Sequence, residues 1–136
     1  MLPSRFKYRA WHKPRKRMMP VASFETDGSG ICLLDNYPAD TEEHFFQLDD
    51  KIVLLQCTGL VDASGREIYE GDLLRGFGGE IIARCEWSVE ETALIFRTAP
   101  SGGAFLNQEY CENFEIIGNA YENEDLLALK PKENYV

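Results

Sequence analysis

The sequence predicts a single, mainly β domain: a small SH3-like or related β-barrel, or curved antiparallel sheet, with an N-terminal hairpin and a short C-terminal helix. Three observations carry that expectation. Apolar-rich segments of four to eight residues are separated by clusters of Gly, Asp, Asn, Ser and Pro, the pattern of short strands between turns. The 3.6-residue period of an amphipathic helix is nearly absent before residue 122. Alternation with period two takes its place, and that sends successive side chains to opposite faces of a sheet. A chain of 136 residues fits one domain and leaves no room for a second, and closing many short strands on themselves removes exposed edges.

The hairpin portion is expected over about 5–34. Its first strand, Arg5 to Lys13, places Phe6, Tyr8 and Ala10 on one face and Arg5, Lys7, Arg9 and Trp11 on the other, so one face reads as apolar and the other as basic. Pro14 ends it. A second strand runs from Val21 to Thr26, Asp27-Gly-Ser-Gly30 supplies the positive backbone dihedrals of a tight turn, and Ile31 to Leu34 returns. Residues 35–50 are acidic and polar around Phe45-Phe46 and read as a loop with at most a short helix. The barrel portion, about 51–129, opens with the strand Ile52 to Cys57. The turn Asp62-Ala-Ser-Gly65 then precedes Glu67-Ile-Tyr69, and Glu70-Gly-Asp72 is another turn. Leu73 to Phe77 and Glu80 to Ser88 flank Gly78-Gly79, a two-residue connection suited to a hairpin. Thr92 to Thr98 follows, Pro100-Ser-Gly-Gly103 breaks it, and Phe114 to Gly118 is the last strand. Asn123 is placed to cap a short helix, with Glu124 and Asp125 at its positive end and Leu126, Leu127 and Leu129 on its apolar side.

The charge is uneven. Residues 1–17 hold seven basic side chains and no acid, whereas the net charge of the whole chain is −9, so the remainder stands at −16. An acidic body repels phosphate backbones, although the basic segment 5–17 retains the capacity for local nucleic-acid contact. The simpler expectation is that the basic head folds back onto the acidic body. No apolar run approaches the roughly 20 residues that span a bilayer, and the basic start lacks the apolar stretch of a secretory signal. These features point to a cytoplasmic protein without a membrane partner. Cysteines at 32, 57, 85 and 111 form no C-x-x-C pair and have no histidine at finger spacing. They read as reduced, buried thiols, with no metal site and no cofactor implied.

No catalytic constellation emerges. Gly76-Phe-Gly-Gly79 lacks the Lys-Ser/Thr of a P-loop and precedes a strand, and no serine lies in a nucleophile elbow. His12 and His44 have no partner at a recognisable motif spacing, and acidic pairs such as Glu42-Glu43, Asp49-Asp50 and Glu90-Glu91 read as solvated loop charges. Six residues remain as binding candidates. Arg5, Arg9 and Trp11 lie where basic and aromatic groups interleave, and Trp11 beside Arg9 and Lys13 suits a cation–π or base-stacking platform but also simple packing under the arginine stems. Tyr69, Glu70 and Asp72 bring a phenol and two carboxylates around the bend at Gly71, where an aspartate accepting backbone N–H bonds is the plainer reading. Exposed edges and a basic head facing acidic bodies leave self-association open.

Three blocks, taken together, resemble the YopX family: Phe6-Lys-Tyr-Arg-Ala-Trp11 with Met18 after a basic run, LLQCTGLVDASGREIYEGDLL at 54–74, and FEIIGNAYENEDLL at 114–127. His12, Leu55, Cys57 and Glu124 depart from the usual family pattern. The resemblance implies a mainly β, barrel-like domain of phage or prophage origin working in a bacterial cytoplasm, and it brings no active site with it. The glycines of the blocks read as turn residues and Tyr69 and Tyr121 as packing residues, leaving Glu70, Asp72, Asn119 and Glu122 as the polar groups without an obvious turn role. The leading expectation is a non-enzymatic module that binds a protein partner. The alternatives are a nucleic-acid contact through the basic strand or DNA mimicry by the acidic body, and, further off, an enzyme using Glu70 and Asp72.

Overall fold

Eleven strands and two one-turn helices make up the described part of the chain, which in this computed structural model comprises residues 6–34, 42–76, 78–79, 81–98 and 102–127. The strands form two antiparallel sheets. The first, in the order β4-β3-β2-β1-β5-β6, contains β1 (Tyr8–His12), β2 (Arg17–Phe24), β3 (Gly30–Leu34), β4 (Glu43–Gln47), β5 (Ile52–Val61) and β6 (Glu67–Tyr69). The second, in the order β10-β9-β8-β7-β11, contains β7 (Asp72–Gly76), β8 (Ile81–Ser88), β9 (Ala93–Thr98), β10 (Gly103–Phe105) and β11 (Phe114–Asn119). Helix α1 spans Gln108–Cys111 and α2 spans Glu124–Leu127. The mainly β, antiparallel class expected from the sequence is what the chain adopts, as two sheets with a hairpin portion at the N-terminus.

Each sheet has its own core. Ala10, Met19, Ile31 and Leu33 are fully buried under Val21, Phe46, Leu48, Ile52 and Leu54. Ile68, Leu74, Ala83, Cys85, Phe96, Cys111, Phe114 and Ile116 form the second cluster, in which Phe96 and Phe114 meet edge to face at 5.1 Å. Aromatic pairs in this geometry contribute about 0.5–1.5 kcal/mol beyond their buried area. Residue Ile68 lies on β6 of the first sheet yet belongs to the core of the second, so β6 carries the chain from one layer to the other.

Several turns follow the sequence expectation. The bend at 27–30 closes with Glu25 N–H donating to the Gly30 carbonyl at 3.0 Å, and Gly28 takes φ +77°. Gly78 and Gly79 have φ +74° and +91° between β7 and β8. Other elements differ. The first strand begins at Tyr8, and Arg5 lies outside the described residues. The second runs Arg17–Phe24 rather than Val21–Thr26, because pairing with β1 extends from His12 opposite Arg17 to Arg9 opposite Pro20.

Residues 43–47, expected within a loop, form β4. The residues from Leu34 to Gly30 pair with Glu43 to Gln47, and Phe46 covers the first core, so strand pairing outweighs the polar composition. Residues 35–41 lie outside the described residues. Strand β10 and helix α1 were not expected either, although Asn107 is a legible N-cap: its Oδ1 accepts the Tyr110 N–H at 2.8 Å. Helix α2 forms where expected, but the Asn123 side chain turns back to accept the Asn119 N–H at 3.0 Å, leaving only its carbonyl to receive the Leu126 N–H. Leu129 lies outside the described residues.

Candidate functional site

Strand β1 is central in the first sheet, and alternation gives it two buried jobs. Tyr8, Ala10 and His12 face the first core; Tyr8 meets Phe24 at 5.1 Å and His12 meets Phe46 at 5.3 Å. Arg9 and Trp11 point the other way. The sequence reading made that face basic, and the second sheet and the loop after β11 cover it at Arg9 and Trp11. The Arg9 Nη2 donates to Asp72 Oδ1 at 2.6 Å, and its guanidinium carbon lies 4.6 Å from the centroid of the Tyr69 ring. Trp11, 9% exposed, packs against Tyr121 with ring centroids 5.9 Å apart. These contacts join the two sheets along one seam.

The carboxylates of the Tyr69–Asp72 bend are turned inward. Asp72 is 2% exposed and its Oδ2 accepts the Tyr69 N–H at 2.8 Å. Burial pushes its carboxyl above the ordinary range despite the opposing pull of Arg9 and the Tyr69 N–H. Glu70 Oε2 accepts the Gln56 N–H at 3.3 Å, and burial likewise raises its carboxyl. The Tyr69 phenol is pushed up to about 12, chiefly by burial. Gly71 makes the bend possible: its φ is +91°, and a Cβ built there would lie 2.8 Å from Tyr121 Cε2. Its amide donates to the Cys85 carbonyl at 2.7 Å and its carbonyl accepts the Ala120 N–H at 2.8 Å.

Tyr121 is held by the loop it sits in. Asn119 Oδ1 accepts the Tyr121 and Glu122 N–H groups at 3.0 and 2.8 Å, and its Nδ2 donates to Glu122 Oε1 at 2.7 Å. Both Asn119 and Glu122 therefore have turn roles. The Tyr121 ring divides two surface depressions along the seam. One, about 660 Å³, is lined by Trp11, Lys13, Lys16, Tyr121, Glu122 and Asp125. The other, about 510 Å³, includes Leu55, Glu70, Tyr121, Arg84, Glu86 and Trp87, the last 49% exposed. Burial would raise the Glu86 carboxyl, but hydrogen bonds from Arg97 and Arg84 outweigh it and hold it low; Arg97 Nε lies 2.8 Å and Arg84 Nη2 2.7 Å from its oxygens.

Of the six residues singled out from sequence, Arg9, Tyr69 and Asp72 come into direct contact, Trp11 lies next along the seam on Tyr121, and Glu70 is anchored separately on β5. Arg5 lies outside the described residues. Within the basic strand Arg9 bonds Asp72 and stacks on the Tyr69 ring in a cation–π contact, and Lys7 pairs with Glu67 at 3.0 Å. Of the basic head, Lys7 and Arg9 fold back onto acidic residues. Sequence reading set Lys13 beside Trp11 and named Glu122 among the polar candidates, but missed Lys16 and Asp125 as cleft residues, because nothing along the chain brings the β1–β2 turn beside α2. The position of Trp11 in a strand and of Tyr121 after a glycine-bearing strand was the only available signal.

The family model described as YopX protein matches residues 7–128. Solved structures similar to the chain include two bacterial proteins. Protein EF1440 from Enterococcus faecalis is 24% identical with a TM-score of 0.59, the match covering 89% of this chain and 96% of that one. Protein yopX from Bacillus subtilis is 15% identical with a TM-score of 0.54, the match covering 90% and 98%. At these identities the likeness is one of fold. No curated protein matches the chain.

Proposed function

Because this chain belongs to the YopX protein family, we propose that it is a non-enzymatic binding module, phage- or prophage-related, that acts through a protein partner in a bacterial cytoplasm. One observation carries the reading. The polar groups of the seam are spent on the fold, Asp72 on Arg9 and the Tyr69 amide and Glu70 on the Gln56 amide, while an aromatic-walled surface stays open beside them. A carboxylate engaged by a buried backbone amide is poorly placed to exchange protons with a substrate. Partially exposed tryptophan beside fixed charge is, by contrast, the composition of protein contact sites. The engagement of Lys7 and Arg9 by acidic residues supports a protein over a nucleic acid, since it withdraws from a phosphate backbone two of the cations that would bind it.

The test is site-specific photocrosslinking. With p-benzoylphenylalanine in place of Trp87, exposure to host lysate should yield discrete protein adducts that are absent when the crosslinker stands in place of Ser64. Identical adduct patterns at the two positions, or none at position 87, would overturn the reading.

A further inference from the structure

The seven basic residues of the head do not share one fate. Lys7 is paired with Glu67 and Arg9 with Asp72, and the Arg15 guanidinium lies 5.0 Å from the Phe46 ring centroid. Lys13 and Lys16 make no ion pair among the described residues; both are exposed, and both line the 660 Å³ cleft floored by Trp11 and Tyr121. In a chain of net charge −9, two ammonium groups with no carboxylate partner among the described residues thus share one cleft.

The backbone adds an independent observation. Pro14 sits second in a turn closed by the Lys16 N–H donating to the Lys13 carbonyl at 3.3 Å, and Lys16 then takes φ +51°. That is the left-handed position where a hairpin ordinarily places glycine. The turn is otherwise firmly set, with the Arg15 N–H on His12 Nδ1 at 3.2 Å and the Lys13 N–H on the Lys51 carbonyl at 2.9 Å. This corner sets the Lys16 side chain, in a conformation that glycine adopts more easily, at the rim of the cleft it lines.

We propose that this cleft docks an acidic segment of a protein partner, whose carboxylates meet Lys13 and Lys16 while an apolar side chain rests on the Trp11–Tyr121 floor. The inference rests on the protein-binding reading above and names the partner's chemistry. Charge complementarity selects the occupant: the lysines attract carboxylates, and Glu122 and Asp125 in the same lining limit how much anion the cleft accepts, which favours a short acidic stretch over a continuous polyanion.

The experiment selects a random dodecapeptide library on the full chain and titrates the winners by fluorescence anisotropy. Enriched peptides should carry an excess of Asp and Glu and bind more weakly as salt rises. Lys16→Gly should weaken them about threefold to fivefold while leaving the thermal midpoint unchanged or higher, a split that a purely structural lysine would not produce. Lys13→Glu with Lys16→Glu should cost about tenfold or more and shift preference to peptides whose acids are replaced by lysine. No enrichment, enriched peptides without acidic bias, binding indifferent to both variants, or a dT decamer that competes more strongly than the peptide would each overturn the proposal. Crosslinked adducts at position 87 alongside any of those results would reject this site while leaving the protein-binding function standing; loss of both would reject both.

Discussion

Two aspartates ten positions apart are equally hidden from solvent but lie at different depths, and their environments drive them in opposite directions. Asp62 and Asp72 are each 2% exposed. Asp62 closes the turn at 62–66: its Oδ1 accepts the amides of Ser64 and Arg66 and the Ser64 hydroxyl, all at 2.9 Å, and its Oδ2 accepts the Ile116 amide at 2.9 Å. Burial opposes its charge, yet the Ile116, Arg66 and Ser64 bonds prevail and its carboxyl lies below the ordinary range. Asp72 has one amide and one guanidinium, and there burial prevails. Asp72 lies deeper among the surrounding atoms, so one amide and one guanidinium do not offset its desolvation, whereas four hydrogen bonds do so for the shallower Asp62. The two residues also serve different ends. Asp62 staples β11, whose outer edge is further covered by the Ala63 N–H on the Phe114 carbonyl at 2.8 Å, whereas Asp72 ties one sheet to the other.

The largest effect should come from breaking the weaker arrangement. Arg9→Ala leaves Asp72 as a buried charge without its partner and should cost about 3–5 kcal/mol, read by urea unfolding. Arg9 Nε is itself buried without a hydrogen-bond partner among the described residues, so the pair is incompletely satisfied there, and Arg9→Met combined with Asp72→Leu should recover most of the loss. Failure of the double variant to recover would show that the pair is worth more than its desolvation. Asp62→Ala should cost less, about 2–3 kcal/mol: exposed Ser64 and Arg66 amides regain water, and only the Ile116 amide is left buried and unbonded. Equal losses for Arg9→Ala and Asp62→Ala would remove the distinction between staple and tie.

Gly71→Ala tests the seam from the backbone side. The new methyl meets both a left-handed φ and the Tyr121 ring, and the expected loss is about 1–3 kcal/mol, with reduced fluorescence coupling of Trp11 to its surroundings as the local readout. Gly65 has a similar φ of +87° but open space around it, so Gly65→Ala should cost about 1 kcal/mol or less.

The glycine corners were the most legible part of the chain, because a positive φ is a local demand that the sequence must meet locally. The seam was legible only in halves. Alternation correctly put Arg9 and Trp11 on one face of β1, but a single strand's period says nothing about whether a second sheet covers that face, and here the first sheet's central strand is covered on both. Tyr69, Glu70 and Asp72 were visible as a cluster because Gly71 bends them together. Their inward orientation depends on the amides of Tyr69 and Gln56 and on Arg9, and the last two lie 14 and 63 residues away from their acceptors. β4 escaped detection for the complementary reason. As an edge strand it tolerates Glu43 and an exposed Phe45, so composition there reports solvent more than pairing.

Titration offers a subtler separation of the two aspartates. Asp62 has a folded value below the ordinary 3.8, so its contribution is present above that value and is lost as pH falls through the folded value. Asp72 has a folded value above 3.8, so the folded state binds the proton first and stability from this group rises as pH falls through the raised value toward 3.8. Unfolding free energies measured from pH 3 to 7 should therefore show wild type gaining on Asp62→Asn, and losing on Asp72→Asn, as pH increases. Slopes of the same sign would contradict the opposing environments.

The smallest effect is the sharpest control. Lys7 and Arg9 lie two residues apart on the same side of the basic head, and each bonds a carboxylate, at 3.0 and 2.6 Å. The Lys7 side chain is 57% exposed and that of Glu67 29%, so water and salt screen the attraction, and holding two long side chains in place offsets much of what remains. Lys7→Ala should change stability by no more than about 0.5 kcal/mol, and the change should vanish at 0.5 M salt, where the Debye length falls to roughly 4 Å. Arg9→Ala should keep its larger cost at the same ionic strength, because its partner is shielded from solvent ions. If both losses fade together with salt, Asp72 is more accessible than its burial indicates, and the seam opens in solution.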